Sequence, residues 1–132
     1  MELRYASDCL AGRASVVFLP MRGEELKGHL DALLLAALEE GPGHGYAVIE
    51  ALRETTGGRL DLPTGTIYPA LHRLEQAGLI TGSWSVVAGR RRREYRLTSA
   101  GARALSGKRA DWQDFAAMIS AALEGRPCPR PA

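Results

Sequence analysis

The chain has 132 residues, 45% of them hydrophobic and 24% charged, and 17 basic against 15 acidic side chains leave a formal net charge of +2. This is the composition of one ordinary globular domain with a modest core. It excludes a disordered chain, and no stretch approaches the roughly 20 apolar residues that a membrane-spanning helix needs.

Residues 1–20 show no clear period and end at Pro20, so 1–23 reads as an N-terminal extension or arm, with Met21 an alternative start. Asp8 and Arg13 interrupt any signal-peptide core. Cys9 and Cys128 have neither CxxC spacing nor a neighbouring histidine, which argues against a zinc site or disulfide framework and for a reducing, cytoplasmic setting. From Leu26 the pattern turns helical: Leu30, Leu33, Leu34, Ala37 and Leu38 keep one face apolar until Gly41-Pro42-Gly43. A second helix is predicted over Gly45 to Thr56, with Val48, Ile49 and Leu52 inward and Gly57-Gly58 closing it.

The run from Gly65 to Ile80 predicts a third helix with clear punctuation. Ile67, Leu71 and Leu74 fall at i, i+4 and i+7 and face a core, leaving Tyr68, His72, Arg73 and Gln76 to point elsewhere. Gly78 is the stop. The start is expected at Thr66 as N-cap, or alternatively Thr64, with Pro69 in a first turn whose N–H groups lack intrahelical partners.

Beyond Gly78 the period changes to two. Ile80, Trp84 and Val86 alternate with Thr81, Ser83 and Ser85, Ala88-Gly89 supplies a turn, and Tyr95 and Leu97 mark a return strand. Arg90, Arg91, Arg92, Arg93 and Arg96 place five positive charges within seven residues, so the hairpin is expected to have a basic tip, whereas residues 24–61 carry an acidic excess. Trp84 reads as a core anchor between hairpin and helices. Thr98 or Ser99 can cap a last helix over 99–124, in which Leu105, Trp112 and Ile119 recur every seven residues and Phe115 and Ala122 take the other seam position. Such a seam wants a partner, either its own domain or a second chain. Residues 125–132, rich in proline, are predicted to be a disordered tail.

The resulting fold class is mainly α with a small β-hairpin: a winged helix-turn-helix over 24–98, followed by a C-terminal dimerisation helix. In that arrangement the third helix enters the major groove of double-stranded DNA while the wing meets phosphate or the minor groove. Thr64 and Thr66 suit phosphate contacts at the helix start, and Tyr68, His72 and Arg73 suit base edges or flanking phosphates.

Gly45-Tyr46, the run Gly65 to Glu75, Gly78-Leu79-Ile80, Gly89-Arg90-Arg91 and Tyr95 to Gly101 together resemble the PadR-like transcriptional regulators, from about Leu26 to Leu123. The resemblance implies a bacterial, homodimeric winged-helix repressor that dimerises through its C-terminal helix and, in some members, is released by a small aromatic effector. It places Tyr46, Thr64, Thr66, Tyr68, Pro69, His72, Arg73 and Arg90 to Arg93 at DNA. Leu105, Trp112, Phe115, Ile119 and Ala122 fall at the dimer interface or effector pocket. One C-terminal helix suggests the smaller subgroup, and residues 1–20 have no counterpart.

Plainer readings exist for several of these residues. Tyr68 could pack on the second helix, the arginine run could be a solvated loop, and Trp112 could be interface core instead of an effector platform. Two other functions compete: a winged-helix protein-interaction module, and a ligand-sequestering dimer. Catalysis and cofactors are not expected. His29, His44 and His72 have no metal-ligand spacing, and Gly41-Pro42-Gly43-His44-Gly45 lacks the lysine of a phosphate loop.

Overall fold

A computed structural model describes residues 28–125 and Pro127. The expectations for the 1–23 extension, for a helix beginning at Leu26, for both cysteines and for most of the tail therefore lie outside the described residues. Within them the order is α1 (Leu30–Ala37), β1 (Gly43–His44), α2 (Gly45–Thr55), α3 (Thr64–Gln76), β2 (Ile80–Val87), β3 (Arg90–Leu97) and α4 (Ser99–Glu124). The strands form one antiparallel sheet in the order β1-β3-β2.

One core joins these elements. Leu34, Leu35 and Leu38 of α1, Val48, Ile49 and Leu52 of α2, and Ile67, Ala70, Leu71 and Leu74 of α3 are all buried. Leu60 and Leu62 fill the α2–α3 connection, Ile80 and Tyr95 close the core from the sheet, and Leu105 enters from α4. Each fully buried Leu or Ile contributes about 1.5–3 kcal/mol over its exposed state, which is what holds α3 against the other helices.

Two local features differ from expectation. The loop at Gly41–Gly45 contains β1, where Gly43 pairs with Tyr95 and His44 with Glu94. His44 is also the N-cap of α2: its Nδ1 accepts from the Ala47 N–H at 3.3 Å. Second, α3 starts earlier than expected. Its N-cap is Pro63, with no side-chain cap, and the Thr66 and Ile67 N–H groups both donate to the Pro63 carbonyl. Thr64 and Thr66 thus belong to the first turn itself, and Pro69 lies inside the helix. The missing Pro69 N–H leaves the Gly65 carbonyl without its i+4 donor.

The other boundaries follow known chemistry. At the end of α3, Gly78 adopts φ +80°, the Leu79 N–H donates to the Leu74 carbonyl and the Gly78 N–H to that of Glu75, a Schellman closure. Ala88 and Gly89 both have positive φ, as a two-residue turn between twisted strands requires. Thr98 caps α4 by accepting from the Gly101 N–H at 3.0 Å, while its own hydroxyl lies 2.8 Å from the Gly78 carbonyl that it donates to. A Cβ on Gly101 would stand 2.0 Å from the Leu79 carbonyl oxygen, so only glycine lets α4 start this close to the sheet.

Candidate nucleic-acid interface

At about 100° per residue, the stripe of α3 opposite Ile67, Ala70, Leu71 and Leu74 consists of Gly65, Pro69, His72 and Gln76. All four are exposed. This sharpens the sequence reading, which singled out Tyr68, His72 and Arg73. His72 is on the outermost line, and Gln76, one turn further on, stands beside it. Gln76 was legible in the sequence as His72 plus four, but its polarity alone did not mark it.

Tyr68 and Arg73 lie on opposite flanks of that stripe. Tyr68 turns toward α2: a Cβ on Gly45 would meet its ring at 2.5 Å, so this glycine is where the ring lies down while part of it remains exposed. The packing reading and the exposed reading of Tyr68 thus both hold. Tyr46, beside it at the start of α2, is exposed, and its phenol is shifted upward, first by its hydrogen bond to Glu50. Arg73 turns toward α1, where its Nη2 donates to Asp31 Oδ1 at 2.6 Å. A side chain held there lies on the edge of the helix and not at the centre of its outer face. Thr64 and Thr66 are exposed at the helix start, where N–H groups and the positive end of the dipole favour an anion.

The arginine run is part of β3 and not of the hairpin tip, which is Ala88-Gly89. Strand alternation divides it. Arg91 and Arg93 share a face with Trp84 and Val86, whereas Arg90 and Arg92 share the opposite face with Ser85 and Val87. Arg93 crosses Gly82, where a Cβ would come within 2.8 Å of its Nε, and ion-pairs with Glu75 of α3 at 2.5 Å. This contact ties the wing to α3. Tyr95 lies on the same face; burial is the main cause of its raised phenol pKa. On the other face, Arg92 Nη1 is 2.9 Å from His44 Nε2. A neutral imidazole has one acceptor nitrogen, so His44 serves either Ala47 or Arg92 but not both. With the helix cap formed, Arg92 is available to an outside acceptor.

Trp84 overturns one expectation. It is 58% exposed and lies outside the core, because β2 extends beyond the helical layer before it turns. Arg91 and Arg93 place their guanidinium carbons 4.6 Å and 5.4 Å from its ring centre.

The seam of α4 also divides. Leu105 is 2% exposed and belongs to the core of its own domain, which corrects its assignment to an interface or pocket. Further along the same stripe Trp112, Phe115, Ile119 and Leu123 are exposed, as is Ala122 at its edge. Trp112 makes an edge contact with His29, ring centres 5.4 Å apart, and a tilted one with Phe115 at 6.0 Å. Arg109 braces this helix on the turn after α1 through a two-pronged pair with Glu39 at 2.8 and 3.0 Å. That hydrogen bond is the main reason the Glu39 carboxyl is held below its ordinary value. Among the described residues no group of three or more His, Cys, Asp or Glu side chains is placed to hold a metal ion. No helix among them is long and apolar enough to cross a membrane.

Three packed helices, the third presenting a polar stripe beside a two-stranded basic wing, define a winged helix-turn-helix protein. Residues 34–107 match the Transcriptional regulator PadR-like family, and the chain belongs to it. It is therefore a DNA-binding transcriptional regulator and not an enzyme. A PadR family transcriptional regulator from Eggerthella lenta superposes with a TM-score of 0.68 at 28% identity, covering 91% of this chain and 97% of that one. A PadR family transcription regulator from Clostridium difficile gives a TM-score of 0.64 at 32% identity, covering 73% and 99%. A transcriptional regulator of Mycobacterium tuberculosis is 50% identical over 55 residues, which span 42% of this chain and 51% of that protein.

Proposed function

We propose that the protein is a homodimeric repressor that binds a pseudo-palindromic operator. The observation that carries this reading is the exposed stripe of α3 beside a wing whose Arg93 is anchored to the same helix. In this reading His72 and Gln76 face base edges in the major groove; Gln is suited to the paired donor and acceptor of adenine. Tyr46, Thr64, Thr66, Tyr68 and Arg73 take flanking phosphates, Pro69 lies close to the groove wall, and Arg90 to Arg93 neutralise backbone beside it.

The second copy comes from α4. Its stripe is core as far as Leu105 and then continues as the exposed Trp112, Phe115, Ile119 and Leu123, left uncovered among the described residues, and that apolar surface favours pairing with the same surface of another copy. Two α3 helices about one DNA turn apart, roughly 34 Å, then read the two half-sites. Release by a small aromatic effector rests on Trp112 alone, which is 52% exposed beside His29 and Phe115.

Mapping the genomic fragments bound by the protein tests the reading as a whole. The expected result is an inverted repeat with half-sites about 10 base pairs apart, with transcripts from adjacent genes rising when the gene is deleted. A non-repeated site recovered by a monomer in sedimentation would defeat the dimeric operator. Falling transcripts would make the protein an activator.

A further inference from the structure

We propose that Trp84 is a DNA-contacting residue whose indole packs on deoxyribose of the backbone flanking the α3 groove, with Arg91 and Arg93 taking the phosphates on either side. The inference rests on the DNA-binding reading above and adds an apolar contact to a wing otherwise read as a set of charges.

The largest side chain of the wing stands in water. Trp84 is more than half exposed, and Val86, the next residue on its face, is also exposed. Without a partner the indole gains there only its cation–π contacts with the two arginines, which are weak at an exposed site, and most of its apolar surface stays in water. The surroundings choose the partner. Strand register puts Trp84 opposite Arg93 and Val86 opposite Arg91, and both guanidinium groups lie over the ring. Two cations against an apolar plate repel a second copy of the same surface. They match a polyanion that offers sugar between charges. Arg91 and Arg93 are two residues apart on one strand, about 6.6 Å, a spacing on the order of that between neighbouring phosphates of one DNA strand.

The position is appropriate as well. The face that carries Trp84 is the one that buries Ile80 and Tyr95 lower down, and it passes α3 at the Glu75–Arg93 pair. Beyond that point the helices stop and the face is open. A duplex whose major groove holds His72 and Gln76 presents its backbone to this edge. The Glu75 carboxylate keeps Arg93 across Gly82 and against the indole, so the plate and one of its charges are preset before DNA arrives. The other charge, Arg91, is held only by the ring and forms no ion pair with a carboxylate among the described residues.

Because the contact is with backbone, a mixed-sequence duplex of about 20 base pairs, two helical turns, is a sufficient probe. Affinity is measured across a salt series with the full chain carrying Trp84→Ala, Trp84→Phe or Arg91→Ala, after thermal melts show that each is folded. Trp84→Ala is expected to weaken binding about tenfold with an unchanged salt slope, because an uncharged ring releases no counterion, whereas Arg91→Ala should lower the slope by about one. Trp84→Phe should stay within about threefold of wild type, yet lose the change in tryptophan emission that duplex causes in the wild type.

Equal affinities for wild type and Trp84→Ala would overturn the assignment while leaving the DNA-binding reading intact. A slope reduced by about one in Trp84→Ala would make the ring a mere spacer for arginines and also overturn it. So would a change of oligomeric state in that variant without DNA, which would make the face a protein contact. Failure of the wild type to bind duplex even at low salt would strike the DNA-binding reading itself.

Discussion

Asp31 holds Arg73 of α3, and if α3 reads DNA as proposed, replacing Asp31 with Asn should tighten DNA binding at little cost to folding. The pair is short, 2.6 Å, but the Arg73 side chain is 60% exposed and that of Asp31 32%, so solvent screening limits its value to about 0.2–1 kcal/mol. The loss of folding stability in Asp31→Asn is bounded by that figure. Binding gains twice. Arg73 no longer has to leave a carboxylate to reach phosphate, which returns up to the same amount. One negative charge is also removed from the edge of the interface; at about 8 Å from a phosphate in water it opposes binding by roughly 0.5 kcal/mol before salt screening. Together these give about 0.5–1.5 kcal/mol, or roughly a two- to tenfold tighter complex. Anisotropy of a labelled duplex titrated with each variant reads this directly. In an Arg73→Ala background the same Asp31→Asn change should keep only the charge term of roughly 0.5 kcal/mol and lose the part that releases Arg73. Unchanged or weaker binding by Asp31→Asn would refute the reasoning, and a full gain persisting without Arg73 would show that Arg73 is not the agent.

Three further outcomes follow from packing and titration. Gly101→Ala, whose Cβ would fall 2.0 Å from the Leu79 carbonyl, should lower stability by about 1–3 kcal/mol or more, whereas Gly107→Ala, six residues along α4 with nothing within 4 Å, should raise it by about 0.5–1 kcal/mol; opposite shifts in denaturant midpoint check both. Leu71→Ala empties the centre of the core under α3 and should cost about 2–5 kcal/mol in chemical denaturation. The Glu39 carboxyl is lowered in the folded state by Arg109, so its contribution is present above the unfolded pKa and is lost as pH falls through the folded one. The melting midpoint of wild type should accordingly fall more steeply than that of Glu39→Gln between about pH 5 and pH 3, and parallel curves would show that the brace adds nothing.

The electrostatics of the proposed DNA face explain why net charge was a poor guide. Only +2 overall, the chain carries its arginines where acids can aim them: Asp31 holds Arg73 on one flank of α3 and Glu75 holds Arg93 on the other. These pairs make the surface less positive than its arginine count suggests, and a less positive surface binds non-specific DNA less tightly. What they supply in exchange is direction. With Arg73 and Arg93 drawn to the edges, the middle of the helix is left to His72 and Gln76, side chains that carry hydrogen-bonding patterns and no obligatory charge.

Much of this was legible in the chain because it depends on local periods. Ile67, Leu71 and Leu74 at helical spacing, the Gly78 stop and the alternation after Ile80 all concern neighbours within a few residues, and physics at that range is written in order along the sequence. The failures have one cause: position relative to a distant element. Trp84 satisfies the same alternation as Ile80, yet Ile80 lies over the helices and Trp84 lies past their edge. The start of α3 depended on Pro63 using its carbonyl twice, which no side-chain preference at Thr66 reveals. Leu105 and Trp112 make the point most sharply. They are seven residues apart on one stripe of one helix, and a heptad pattern assigns them the same role. Leu105 has the core of its own domain beneath it and is buried. By Trp112 the contact, among the described residues, is with His29 at the N-cap of α1, and the apolar stripe beyond it is exposed. Periodicity identifies the face that must be covered; how far the body of the protein reaches decides whether its own chain or another provides the cover.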